Sequence, residues 1–189
     1  VYHSYDNNGF TPEGKLKSAY AARLTRVLDR ADELGMVPIV GMFYWMMLLR
    51  MEDEAAIWRA ARETCTFLME HGYRHVLVEL ANEIDVVVDH TPYAIFRPER
   101  QHEMLSTLKA EFPELLFSTS GGGAEVTTGR GMPPASLVRA ADYVLLHGNG
   151  LRPPELAAAI DVVQGMDAYR LAPKPIIINE DSPAMPNFE

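Results

Sequence analysis

The sequence has one cysteine, Cys65, so no disulfide can close within it, and the surrounding helix-like apolar pattern gives that thiol a packing role. Positive charge is also scarce: 17 Lys and Arg face 26 Asp and Glu, a formal net charge of −9. Phosphate recognition draws on clustered Lys and Arg, so neither a nucleic-acid partner nor a polybasic membrane contact is expected. A neutral or cationic ligand suits the balance better. No apolar run approaches the roughly 20 residues that span a bilayer, and the opening residues, VYHSYDNNGF, carry no basic and apolar leader pattern. The compartment is left open by this, and an extracellular or periplasmic setting is compatible with it. Gly121-Gly122-Gly123 lacks both the GxxxxGK[ST] and the GxGxxG spacing, so a mobile loop is expected there and no phosphate cradle. His102-Glu103 begins a zinc-protease pattern that Ser106 breaks, and His71 and His75 straddle Gly72 without sharing a helix face. No metal centre and no cofactor are expected, with Asp85, Asp89 and His90 at most a weak acidic ion-binding loop.

What the chain does contain is an alternation of helical and strand-like segments without a linker or composition break, which reads as one domain over 1–189. Residues 1–10 read as a loop. Thr11-Pro12-Glu13 has the signature of a helix start, and Gly35 closes the apolar stripe of Tyr20, Leu24, Val27, Leu28, Ala31 and Leu34. Buried strands are expected over Met36 to Tyr44, His75 to Leu80, Leu115 to Ser120, Tyr143 to His147 and Pro175 to Asn179. Helices are expected over 51–70, 97–111, 135–141 and from Pro153 onward, with Val86 to Phe96 as a loop. Such βα rhythm implies a parallel α/β sheet. A doubly wound sheet would usually carry a glycine-rich turn after its first strand, and the strand ending at Tyr44 has none.

Polar residues recur where these strands end: Asn82-Glu83, Ser118 to Ser120, His147 with Asn149, and Asn179-Glu180. Catalytic groups drawn from several strand ends at one face are the pattern of a barrel. The expectation is therefore an incomplete (β/α)8 TIM barrel, about its third to seventh strands, with two strands before Val1 and one after Glu189 outside the chain. In such a frame Glu83 and Glu180 face one pocket. Retaining cleavage of a glycosidic bond needs two such carboxyl groups about 5 to 5.5 Å apart, one to protonate the leaving oxygen and one to attack the anomeric carbon. Asn82 is placed to bind a sugar hydroxyl, and Tyr44 and Trp45 to stack on a sugar ring. Glu79, inside its strand, reads as an interior ion pair.

The segments VELANE and PIIINE resemble the strand ends of the retaining glycoside hydrolases built on (β/α)8 barrels, the cellulase-like family five among them. The resemblance covers roughly Met36 to Ser182. It implies that Glu83 is the acid/base, that Glu180 is the nucleophile and that His147 supports the site. Four positions depart from that pattern: Ile84 where proline is common, Asn179 and Asp181 around Glu180, and Asn149 where a tyrosine is common. The function implied is hydrolysis of a β-linked glycan or glycoside without cofactor. A metal-dependent barrel hydrolase or lyase and a non-catalytic carbohydrate-binding relative are the alternatives. Oligomeric state is open.

Overall fold

The computed structural model describes residues 8–182. The loop expected over 1–10 lies outside the described residues as far as position 7. The polypeptide then makes a tight excursion in place of the expected helix start. Phe10 and Leu16 form an isolated antiparallel bridge, the Thr11 hydroxyl accepts the Lys15 N–H at 3.2 Å, and Gly14 turns at φ +85°. Any Cβ at Gly14 would strike the Ala56 carbonyl, so this turn is docked against the protein body and cannot be a first helical turn.

Helix α1 (Ser18–Glu33) begins only after it and buries Leu28 and Ala31. Strand β1 (Ile39–Phe43) leads into the single turn α2 (Trp45–Leu48). Helix α3 (Glu54–Glu70) starts where the Asp53 carboxylate accepts the Ala56 N–H at 2.7 Å, an N-cap that satisfies one free donor. It buries Ala56, Ile57, Ala60, Ala61, Cys65 and Leu68, so Cys65 is core packing, and burial raises its thiol pKa to about 12. Strand β2 (Leu77–Ala81) follows. The expected 86–96 loop is instead helix α4 (Ile84–His90) and a 3₁₀ turn at Ala94–Phe96, with Ile84, Val87, Ile95 and Phe96 buried. Then come α5 (Gln101–Glu111), β3 (Leu116–Ser118), α6 (Ala135–Ala140), β4 (Val144–His147), α7 (Pro153–Gly165), α8 (Asp167–Leu171) and β5 (Ile176–Glu180).

All strand pairs are parallel, as the βα rhythm requires. They do not, however, form one curved sheet. A three-stranded sheet in the order β1-β2-β3 and a separate two-stranded sheet, β4-β5, are present among the described residues. The expectation of an incomplete TIM barrel is thus corrected to a small α/β fold with, among the described residues, five strands and eight α-helical segments.

The reason lies at the β3 edge. The Asp142 carboxylate accepts the Phe117 N–H at 2.9 Å, the Asp142 N–H donates to the Phe117 carbonyl at 2.9 Å, and the Ser118 hydroxyl donates to the Tyr143 carbonyl at 2.7 Å. Two of these three bonds use side chains, so the single backbone bond between Asp142 and Phe117 is not continued into a strand-to-strand ladder. The larger core fills the space around the three-stranded sheet, and a smaller one, with Val138, Val144, Leu146, Ala159 and Val163, lies against the other.

Candidate active site

The expected strand ends do converge, at the C-terminal tips of β1, β2, β4 and β5. Glu83 follows β2 and is the N-cap of α4. Its backbone sits at φ 52° and ψ 62°, the one non-glycine residue with positive φ among the described residues. A side chain in that left-handed region costs about 1–2 kcal/mol. Non-glycine residues held in such conformations cluster at functional sites, and here the conformation turns the chain abruptly from strand to helix.

The Glu83 carboxylate meets two partners. Its Oε2 accepts the Tyr44 hydroxyl at 2.7 Å, and its Oε1 lies 3.4 Å from His147 Nδ1. The same ring nitrogen is 3.5 Å from Glu180 Oε2, which also accepts the Asn149 side-chain amide at 2.8 Å. A ring nitrogen of His147 and one carboxylate oxygen each from Glu83 and Glu180 all lie within 4.8 Å of one another. His147 is wholly buried between the two acids. Donors of this kind could also surround a divalent cation.

The electrostatics follow from this packing. The hydrogen bond from His147 lowers the Glu83 pKa most, burial opposes it, and the Tyr44 hydroxyl lowers it further, so the net shift is downward. Burial works against charging His147, but the Glu83 hydrogen bond and the charges of Glu180, Glu79 and Glu83 outweigh it and raise the ring pKa. Burial, then the bond to Glu83, pushes the Tyr44 phenol up to about 12, so it remains a donor. Glu79, almost fully buried, is raised to about 7 by burial.

Of the residues singled out in the sequence, Tyr44, Glu83, His147, Asn149 and Glu180 are brought together. Tyr44 arrives in a different capacity from the expected stacking platform, since its hydroxyl holds Glu83. Trp45 opens α2 and lies against His90, ring centroids 4.6 Å apart. Asn82 is tied through its backbone N–H to the Phe43 carbonyl at 3.0 Å, and its side chain makes none of the hydrogen bonds that hold the pair. Glu79 has a hydroxyl partner, Ser120, in place of the expected ion pair. The glycine run is pinned: Gly122 N–H donates to Asp85 Oδ1 at 2.6 Å, and a Cβ on Gly131, itself at φ +67°, would collide with the Gly122 carbonyl. Asp85 is accordingly engaged with this loop. A cavity of about 680 Å³, lined in part by Gly123, Arg130, Asn149 and Glu155, opens beside Asn149.

Sequence reasoning did not single out Ser120 as a site residue. Its signal was the polar run Ser118 to Ser120 at the end of an apolar strand, which marks a position without saying which hydroxyl points where. Comparison of the chain with protein-family models, with curated proteins and with solved structures gave no match. The chemistry is therefore read from the site's own geometry.

Proposed function

We propose that the protein is a glycoside hydrolase that cleaves a β-linked glycan or glycoside with retention of configuration, using Glu83 and Glu180. The observation that carries this reading is the spacing: an oxygen of each carboxylate lies within 4.8 Å of the other across His147. Retaining enzymes hold their two carboxyl groups about 5–5.5 Å apart, whereas inverting ones leave about 6.5–9.5 Å for a water molecule. The 680 Å³ cavity is lined by Asn149 and by neither Glu83 nor Glu180, so it adjoins the carboxylate pair through the Asn149 amide, and the net charge of −9 suits a neutral sugar.

The hydrogen-bond partners divide the roles. Glu180 is oriented by the Asn149 amide, a donor that fixes a carboxylate without giving up its proton, as a nucleophile requires. Glu83 accepts the Tyr44 hydroxyl and lies 3.4 Å from His147 Nδ1, two groups that carry exchangeable protons, as suits an acid/base. Its lowered pKa makes it an anion in the free protein, which taken alone would suit the nucleophile. We give more weight to the Tyr44 partner, because excluding water with a bound sugar raises a buried carboxyl.

In the first step a Glu180 oxygen attacks the anomeric carbon, the glycosidic C–O bond breaks, and the Glu83 proton passes to the leaving oxygen. In the second, Glu83 takes a proton from water as that water attacks the same carbon and the ester bond to Glu180 breaks. Two inversions give net retention.

The test is hydrolysis of a panel of 4-nitrophenyl β-glycosides, followed by trapping with the matching 2-deoxy-2-fluoro glycoside and peptide mass spectrometry. A fluoroglycosyl ester on Glu180 is expected. An ester on Glu83 would reverse the two roles, and turnover abolished by a chelator and restored by a divalent cation would overturn the mechanism.

A further inference from the structure

Glu83 occupies a costly backbone conformation, and the bonds that keep it there converge on one residue. The Glu83 N–H donates to the Ser120 hydroxyl oxygen at 3.1 Å, and that hydroxyl in turn donates to Glu79 Oε1 at 2.6 Å. The backbone of Ser120 completes the clamp: its N–H donates to the Ala81 carbonyl at 3.2 Å, and its carbonyl accepts the Ile84 N–H at 3.0 Å. Residues 79, 81, 83 and 84 are thus all tied to Ser120, the residue two past the end of β3. Ser120 and Glu79 are 1% and 5% exposed, so these bonds are shielded from competing water.

Neither residue reaches the Glu180 carboxylate or the cavity lining by any hydrogen bond among the described residues. What they contact is the backbone of the turn that aims the acid. We propose that Ser120, backed by Glu79, is the positioning unit that holds Glu83 in its left-handed turn and so aims its carboxylate at the bond to be cleaved. This inference rests on the reading of Glu83 as the acid/base of a glycoside hydrolase.

A serine is suited to this task because one hydroxyl both accepts and donates. It accepts from the strained N–H and passes its own hydrogen to a buried acceptor, which fixes the rotor. Removing it leaves the Glu83 N–H and Glu79 Oε1 without partners at once, and the turn is then free to relax toward an ordinary φ. The carboxylate would swing with the turn, and misplacement by about 1 Å costs roughly 100-fold in rate.

The experiment compares Ser120→Ala with Ser118→Ala in the full chain. Both delete one buried hydroxyl, but the Ser118 hydroxyl bonds the Tyr143 carbonyl, away from Glu83. Two readouts are taken: the Glu83 13Cα and 13Cβ chemical shifts, which report φ and ψ, and kcat and KM on the 4-nitrophenyl β-glycoside that the unaltered protein cleaves.

In S120A the Glu83 shifts are expected to leave the left-handed range, and kcat to fall about 10- to 100-fold with KM held within about threefold. S118A should leave the Glu83 shifts in the left-handed range. Should S120A not fold, Glu79→Leu against Glu79→Gln carries the same test, since glutamine keeps an oxygen for the Ser120 hydroxyl and is expected to rescue the Glu83 shifts. Glu83 shifts that stay in the left-handed range in S120A, or in E79L where S120A does not fold, would overturn the proposal whatever the kinetics. If no glycoside is cleaved by the unaltered protein, the glycosidase reading fails, and the shifts alone decide whether Ser120 positions Glu83.

Discussion

The two glutamates of the candidate site stand on unequal ground. Glu83 is carried by β2, the middle strand of three, four of whose five residues are buried, and its strained turn is clamped to Ser120. Glu180 ends β5, which pairs with β4 and whose five residues are all half-exposed. One acid is therefore held by a rigid and well-packed scaffold, the other by a lighter one. What joins them is a seam of side chains: Asp142 and Ser118 bridging β3 to the start of β4, the Tyr143 hydroxyl donating to the Val78 carbonyl at 2.9 Å, and His147 between the carboxylates. The lesson is that two carboxylates can be brought together across two separate sheets when buried polar side chains supply the registry that a continuous ladder would otherwise give.

Breaking either side should break the chemistry, and this gives the largest effect. Glu83→Gln and Glu180→Gln are each expected to lower kcat on a 4-nitrophenyl β-glycoside by about 10³- to 10⁴-fold while leaving the thermal midpoint nearly in place. Activity retained by either variant would mean that the two halves do not share a reaction.

A smaller effect concerns the charge stored on the rigid side. Glu79 has its carboxyl raised from 4.5 to about 7, so the folded state favours its protonated form. The stability this leaves intact below pH 4.5 is lost as pH rises through 7, to an extent on the order of 3 kcal/mol. Glu79→Gln should flatten that part of the profile, seen as urea unfolding free energies that differ less between pH 5 and pH 8 than in the unaltered protein. The raised pKa of His147 acts in the same sense at higher pH: its contribution is complete below its ordinary value and disappears as pH climbs through the raised one.

The seam itself comes next. Asp142→Ala removes the acceptor of the Phe117 N–H and the Lys109 ion pair at 3.0 Å, and should cost about 1–3 kcal/mol of stability in the same urea assay. A loss no greater than that of an ordinary surface substitution would show that the two sheets do not depend on it. The smallest effect sharpens the comparison at Glu83 alone. Tyr44→Phe deletes one donor to its carboxylate, so the Glu83 pKa should rise, the basic limb of the kcat/KM profile, set by deprotonation of the acid, should move upward in pH, and kcat should fall about 10-fold.

Much of this arrangement could be read before the fold was known, for definite reasons. Apolar runs ending in Glu83, His147 and Glu180 are strong period and boundary signals, and the parallel pairing followed from their spacing. The incomplete-barrel frame did not follow, because nothing in the residues around 117 and 142 says that an aspartate and a serine side chain will bond across the β3 edge. Helix α4 was hidden for a related reason: its start depends on one left-handed residue, Glu83, whose conformation is imposed by Ser120 from 37 positions away in the chain. Tyr44 looked like a stacking surface since an aromatic at a strand end often is one, and its hydroxyl's target lies 39 positions further on. Local pattern located these side chains; only tertiary hydrogen bonding gave them their tasks.

The central claim, that two carboxylates this close act by double displacement, is tested most directly by the stereochemistry of the first product. A β-glycoside substrate is hydrolysed in an NMR tube and the anomeric proton of the released sugar is followed before mutarotation sets in. The β anomer is expected to appear first; the α anomer appearing first would contradict retention and with it the roles given to Glu83 and Glu180.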